Sequence, residues 1–176
     1  LIIEDYNKGL LPGPFITEIL KIARNHDLMV LVDPKFDNFF AYHGVTVFKP
    51  NLREASEALA MRVSDSDEIE AAVRALRERM ASENVMVTLG ADGVALVDSE
   101  GRFSTLPAFV RVVNDPAGAG DTVISVMASA MAAGGTALEA MGIANYGGGL
   151  ICEKVGIQPV TPAELRAAVI RHAETY

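Results

Sequence analysis

Residues 115–122, with the sequence DPAGAGDT, place small residues and an acid at the predicted start of a helix. Backbone N–H groups in the first turn of a helix lack intrahelical partners, and the helix dipole adds partial positive charge there. The glycines allow the backbone to approach an anion closely, so this turn is suited to a phosphate group. Asp121 follows directly, and a carboxylate beside a buried helix is costly without a partner or a function. The segment is therefore the first candidate for a reactive site.

Known patterns limit what this segment can be. A P-loop requires Gly-Lys-Ser/Thr, and the chain contains no Gly-Lys pair. The dinucleotide-binding fingerprint requires a small residue where Val123 stands, and a later strand that ends in an acid, whereas only helices are predicted after it. The plain alternative is a tight strand-to-helix connection in which Asp121 only complements the helix dipole.

The elements that position these residues alternate along the first part of the chain. Continuous apolar runs are typical of parallel strands covered on both faces, and they predict strands at LIIED, LMVLVD and VTVF. Apolar residues at helical spacing predict helices at PGPFITEILKIARNH, NLREASEALA and about residues 67–80. Asp65 and Glu68 have the spacing of a capping box for the last of these helices.

The second part of the chain begins with four short predicted strands, VMVTLG, GVALVD, RFSTLP and FVRVV, with DSEG as a hairpin turn. Three helices follow. AGDTVISVMASAMAAG is apolar nearly all round and is expected to be buried, the next helix holds ALEAMGIANYGGGLICEKVG, and the last begins with TPAE. This order predicts an α/β sandwich with a mostly parallel sheet and an antiparallel edge. Ligands of such sheets bind at the carboxyl ends of strands, where DYNKG, VDPK and KPNLRE lie.

Composition limits the class of protein. The 176 residues suffice for a single domain, 1–176, and 50% of them are hydrophobic. The net charge of −8 argues against nucleic acid or an anionic membrane as the main partner. A single cysteine and the lack of any apolar run long enough for a membrane helix predict a cytoplasmic protein. The chain begins without Met inside a predicted strand, so we expect a C-terminal piece of a longer protein.

Several of these motifs resemble the signatures of the ribokinase-like (PfkB) carbohydrate kinases. GAGD resembles the family's main signature, with a departure at Pro116 and Ala117, where a hydroxyl residue more often precedes the first glycine. NLRE matches its Asn-x-x-Glu motif, VTLGADG resembles its strand and turn beside the nucleotide, and ANYGGGL resembles its adenine-side helix. EDYNKGLL, DPK, KPNLREA and CEKVGIQPV narrow the resemblance, over essentially the whole chain, to the heptose 7-phosphate kinase domain of ADP-heptose synthases.

The resemblance implies a ribokinase-like three-layer sandwich whose N-terminal part, with most of the sugar-binding residues, is absent. It implies ATP-dependent phosphorylation of the anomeric hydroxyl of D-glycero-β-D-manno-heptose 7-phosphate, in lipopolysaccharide precursor synthesis. Mg²⁺, a monovalent cation and a homodimer are further features that the resemblance suggests. Another PfkB-type sugar kinase and a non-catalytic nucleotide-binding fragment are the alternatives, and the isolated chain is expected to show little or no turnover.

The resemblance also assigns roles to individual residues. Asp121 is expected to be the general base. The backbone N–H groups of Ala119, Gly120 and Asp121, in the catalytic segment that begins at Gly118, are expected to form the anion hole. Asn51 and Glu54 are expected to hold Mg²⁺ and the nucleotide phosphates, although an N-cap with its capping-box partner would need no such role. The expected nucleotide site also includes Thr88, Gly90, Gly93, Asn145 and Lys35. Lys35 is equally well explained as a surface lysine, and the glycines near Asn145 also suit helix packing.

Overall fold

The computed structural model describes residues 1–109, 115–156 and 158–173, and six strands within them form one sheet in chain order. The strands are β1 (Ile2–Glu4), β2 (Leu31–Asp33), β3 (Val47–Phe48), β4 (Asn84–Thr88), β5 (Val94–Val97) and β6 (Phe103–Leu106). The first four are parallel neighbours. The N–H of Gly101 donates to the carbonyl of Asp98 at 2.9 Å and closes the hairpin between β5 and β6. The predicted mostly parallel sheet with an antiparallel edge is confirmed.

The chain divides into two compact units, Leu1–Gly90 with Ala95–Thr105, and Ala91–Val94 with Leu106–Tyr176. In the first unit, the connections between the parallel strands contain three α-helices, α1 (Gly13–Asn25), α2 (Leu52–Leu59) and α3 (Ser66–Met80), and a short 3₁₀ helix at Phe36–Ala41. Apolar residues of these helices and of the strands share a buried core, to which Leu20, Leu76 and Val32 belong. Asp5, Asp33 and Lys49 lie at the ends of the first three strands, at the carboxyl edge of the sheet.

Two local predictions for the first unit are wrong in detail. β2 begins at Leu31 and not at Leu28. Just before it, the N–H of Val30 donates to the Thr46 hydroxyl at 3.1 Å, and the Val30 carbonyl accepts from the N–H of Val47. The capping box of α3 is only half formed. Asp65 accepts from the N–H of Glu68, but the Glu68 carboxylate accepts from the N–H and hydroxyl of Ser64, both at 2.7 Å.

The described residues of the second unit form three α-helices, α4 (Ala119–Ala132), α5 (Ala137–Cys152) and α6 (Pro162–Ala173). The expectation that α4 is buried holds for one face of the helix only. Its buried residues, such as Ile124 and Met127, lie on one face, whereas Ser125 and Ser129 are exposed. A helix buries only the surface for which it has partners, and the glycines of α5 cover one face of α4. Apart from Phe109, the predicted strand FVRVV lies outside the described residues.

Three consecutive glycines allow α5 to pack closely within the second unit. A Cβ at Gly148 would lie 2.8 Å from a methyl group of Val123 in α4, and one at Gly147 would lie 3.1 Å from a methyl group of Val126. A Cβ at Gly149 would overlap the backbone carbonyl oxygen of Phe109. These close approaches agree with the interpretation that the three glycines allow the helix to pack closely against its neighbours. Within the described ranges, no helix combines the length and hydropathy that a membrane span requires.

Replacing Gly149 by Ala is expected to lower the free energy of unfolding by about 1–3 kcal/mol, because the added methyl group meets backbone that cannot rotate away. Gly142 on the same helix is the matched control. There a Cβ would lie 3.8 Å from the Leu106 side chain, an ordinary contact, and Ala is the better helix former by about 1 kcal/mol. Urea denaturation of the two variants should therefore show opposite shifts, and equal shifts would contradict this account of the packing.

Candidate functional site

The start of α2 brings Asn51 and Glu54 together in the first unit. The Asn51 side-chain oxygen accepts from the N–H of Glu54, and Glu54 Oε2 accepts from the N–H of Asn51, both at 2.9 Å. This is a complete capping box, so the structural interpretation of the two residues is realised. Each carboxylate or amide oxygen has a second lone pair, and hard oxygen atoms of this kind suit a Mg²⁺ ion that keeps its waters. The pair therefore fits a hydrated metal without leaving the cap.

A chain of alternating charges extends from Glu54 into the sheet. Lys35 Nζ lies 2.6 Å from Glu54 Oε1 and 3.4 Å from Asp33 Oδ1. Lys49 Nζ lies 2.8 Å from the other Asp33 oxygen, and Lys49 is only 2% exposed. The charges of these four residues sum to zero. We call Lys49, Asp33, Lys35 and Glu54 the ionic chain.

The pKa of Lys35 reflects this arrangement. Burial by itself lowers the pKa of the ammonium group, but the hydrogen bond to Glu54 and the charges of Asp33 and Glu54 outweigh burial and hold that pKa above its usual value. Lys35 is therefore charged and held between two carboxylates. Lys8, by contrast, lies exposed in the segment after β1.

Sequence reasoning identified VDPK and KPNLRE as strand-end motifs but did not single out Asp33 or Lys49. The available signal was an ionisable residue directly at the end of a buried apolar strand. The same signal applies to Asp5 after β1. Its carboxylate is 4% exposed and accepts from the Tyr42 hydroxyl at 2.7 Å and from the Asn38 amide at 3.0 Å. Burial raises the pKa of Asp5, but these bonds and the charge of Lys35 outweigh burial and leave it below its usual value.

A cleft of about 410 Å³ opens beside the capping box and collects three of the predicted nucleotide residues. Asn51, Thr88 and Gly90 all line it, and Asn51 pairs with Thr88 in an isolated parallel bridge. Gly90 has φ +65°, a conformation that suits glycine. The cleft also includes the exposed Arg53 on α2. A second cavity, of about 450 Å³, lies at the amino ends of the strands and contains none of the predicted residues.

The predicted anion hole lies at the start of α4 in the second unit. Gly118 is the N-cap with φ +79°, a left-handed conformation that favours glycine. Asp121 is exposed in the first turn of the helix. The N–H of Ala119 donates to the carbonyl of Pro116 at 3.2 Å, so this group must leave its present bond before it can contact a phosphate. The geometry is that of a glycine-capped helix start with an acid beside it.

The remaining predicted residues of the second unit have structural partners of their own. The Asn145 amide on α5 donates to the carbonyl of Pro107 at 2.8 Å. Gly93 has φ +104°, and a Cβ there would overlap the carbonyl oxygen of Leu106. Half-buried Cys152 ends α5, and burial together with the charge of Asp115 raises the pKa of its thiol, which disfavours the nucleophilic thiolate. These contacts account for the residues as structural elements of the fold, and nucleotide binding by Asn145 and Gly93 stays a prediction.

The family described as pfkB family carbohydrate kinase matches residues 5–164. The chain is 39% identical over 132 residues to the bifunctional protein HldE of Rhodospirillum rubrum, covering 75% of this chain and 27% of that protein. It is 35% identical over 173 residues to HldE of a Bradyrhizobium species, covering 98% of this chain and 35% of that protein. The chain thus spans about a third or less of these relatives.

Solved structures show the same fold. Phosphofructokinase-2 from Escherichia coli, in complex with potassium, superimposes with a TM-score of 0.87 at 18% identity, over 98% of this chain and 57% of that chain. Ribokinase from Arabidopsis thaliana, complexed with ribose and ATP, superimposes with a TM-score of 0.83 at 20% identity, over 96% and 55%. The chain therefore has a ribokinase-like α/β fold.

Proposed function

The chain belongs to the pfkB family of carbohydrate kinases, and we propose that it is the C-terminal, ATP-binding portion of a heptose 7-phosphate kinase. The observation that carries this proposal is the 35% identity to an HldE protein over 98% of the chain. The proposed substrate is D-glycero-β-D-manno-heptose 7-phosphate, phosphorylated at its anomeric hydroxyl for lipopolysaccharide precursor synthesis. Residues 1–176 would then act as one functional domain of a cytoplasmic enzyme, with the sugar held largely by residues outside this chain.

Asp121 is the proposed general base of the second unit. Its exposed carboxylate, in the first turn of α4, can accept the proton of the attacking sugar hydroxyl. Backbone N–H groups of residues 119–121 and the dipole of α4 favour the negative charge of the phosphoryl group in transfer. Positioning and charge stabilisation of this kind carry most of the catalysis in phosphoryl transfer.

The first unit supplies the proposed nucleotide and metal residues. Asn51 and Glu54 present oxygen atoms to a hydrated Mg²⁺, whose charge would offset that of the nucleotide phosphates. Thr88 and Gly90 line the cleft beside them. Gly93 and Asn145 are the nucleotide residues proposed for the second unit. A monovalent cation and a homodimer are further proposals, and a solved form of E. coli phosphofructokinase-2 is described as tetrameric.

The test is a substrate panel offered to the full-length protein with ATP and Mg²⁺. We expect the heptose 7-phosphate to be converted to a 1,7-bisphosphate with release of ADP, which phosphorus NMR detects directly. Ribose and fructose 6-phosphate are the comparison substrates. Preference for either of them would replace the heptose kinase by another sugar kinase of the family, and ATP binding without turnover on any sugar would favour the non-catalytic alternative.

A further inference from the structure

Lys35 holds the Glu54 carboxylate in one orientation, and we propose that Lys35 is a positioning residue that acts on the metal–nucleotide complex through Glu54. The ammonium group lies 2.6 Å from Glu54 Oε1, while the N–H of Asn51 holds Oε2 at 2.9 Å. Both oxygens therefore have fixed donors, and the carboxylate cannot rotate without breaking one of them. This inference rests on the proposed function of Glu54.

The sheet gives Lys35 a fixed anchor. Asp33 is the last residue of β2 and receives Lys35 on one oxygen, at 3.4 Å, and Lys49 on the other, at 2.8 Å. Lys49 is almost fully buried directly after β3, so Asp33 cannot turn away from Lys35 without abandoning a buried charge. Lys35 thus links the first turn of α2 to a rigid strand end.

The same contacts argue against Lys35 as a direct phosphate ligand. If the ammonium moved to a phosphate, Glu54 Oε1 would lose its 2.6 Å partner, and Asp33 would lose one of its two lysine partners. Glu54 is 16% exposed in its side chain, so solvent offers only partial compensation. While Lys35 stays bonded to Glu54, it offsets the charge of the carboxylate and fixes the orientation of the remaining lone pairs of that carboxylate.

A double-mutant cycle in the full-length protein distinguishes positioning of Glu54 by Lys35 from direct binding of a phosphate by Lys35. Lys35→Met, Glu54→Gln and the double variant are compared with the unmodified protein by calorimetric titration with ATP at several Mg²⁺ concentrations. We expect about a tenfold loss of Mg·ATP affinity for Lys35→Met, and no further loss when it is added to Glu54→Gln, because residues that act through one another are not additive. Lys35→Arg should retain more of the affinity than Lys35→Met because it keeps a positive charge and hydrogen-bond donors.

Lys21→Met is the matched control, because Lys21 is an exposed lysine paired with Glu18 on α1. The affinity of this variant for Mg·ATP should equal that of the unmodified protein. Additive losses in the cycle, or an unchanged affinity for Lys35→Met, would overturn the inference. If Lys35→Met does not fold, Lys35→Gln completes the same cycle. Failure of the unmodified protein to bind Mg·ATP would instead overturn the proposed function and the inference with it, whereas normal binding and turnover with an additive cycle would overturn the inference alone.

Discussion

Asp121→Asn is expected to slow sugar phosphorylation by the full-length kinase by about 10²–10⁴-fold while ATP affinity changes little. The amide keeps the size of the side chain in the first turn of α4, but it cannot accept the proton of the sugar hydroxyl. The glycine-capped backbone of the turn is unchanged, so the nucleotide should still bind. Steady-state kinetics together with calorimetric titration of ATP measure the two quantities separately.

Asp67→Asn provides the matched control. Asp67 is also an exposed acid in the first turn of a helix, α3, and it has no proposed role in catalysis. If both aspartates only complement a helix dipole, the two variants should show the same small change in stability and full turnover. Full turnover by Asp121→Asn would remove Asp121 from the mechanism and leave the plain helix-start interpretation.

Lys49→Met is expected to lower the free energy of unfolding by about 3–5 kcal/mol, which is the usual cost of removing one partner from a buried ion pair. Lys49 is 2% exposed, and its ammonium is 2.8 Å from Asp33. Lys35 compensates Asp33 only in part, because its shorter contact is with Glu54. Urea denaturation of the chain measures the loss.

The decisive comparison is with Lys49→Met combined with Asp33→Asn. The double variant removes both charges and leaves the ion pair of Lys35 with Glu54 in place, so it should be more stable than Lys49→Met alone. Lys21→Met, at an exposed pair, should change the unfolding free energy by less than about 1 kcal/mol. A double variant less stable than Lys49→Met would contradict the view that the incompletely compensated Asp33 charge causes the loss.

The sequence was most informative where structure depends on neighbours along the chain. Apolar periodicity predicted the helices of the first unit, and the spacing of Asn51 and Glu54 predicted a capping box that is fully formed. At α3 the same kind of spacing was misleading, because Ser64 competes for the Glu68 carboxylate. The extent of burial around α4 was also mispredicted, because burial depends on the surfaces that pack against a helix and not on its own composition.

Residues of one local segment have contacts dictated by helical or extended geometry, so the sequence alone determined the alternating elements, the glycine-rich start of α4 with Asp121, and the capping residues of α2. Only the tertiary structure decided that Lys49, Asp33, Lys35 and Glu54 form one ionic chain. These residues come from the ends of β2 and β3 and the start of α2, and they meet because parallel register aligns the carboxyl ends of the strands. The register that joins these strand ends pairs residues far apart in the chain, so it is read from the packed sheet and not from any one segment of the sequence.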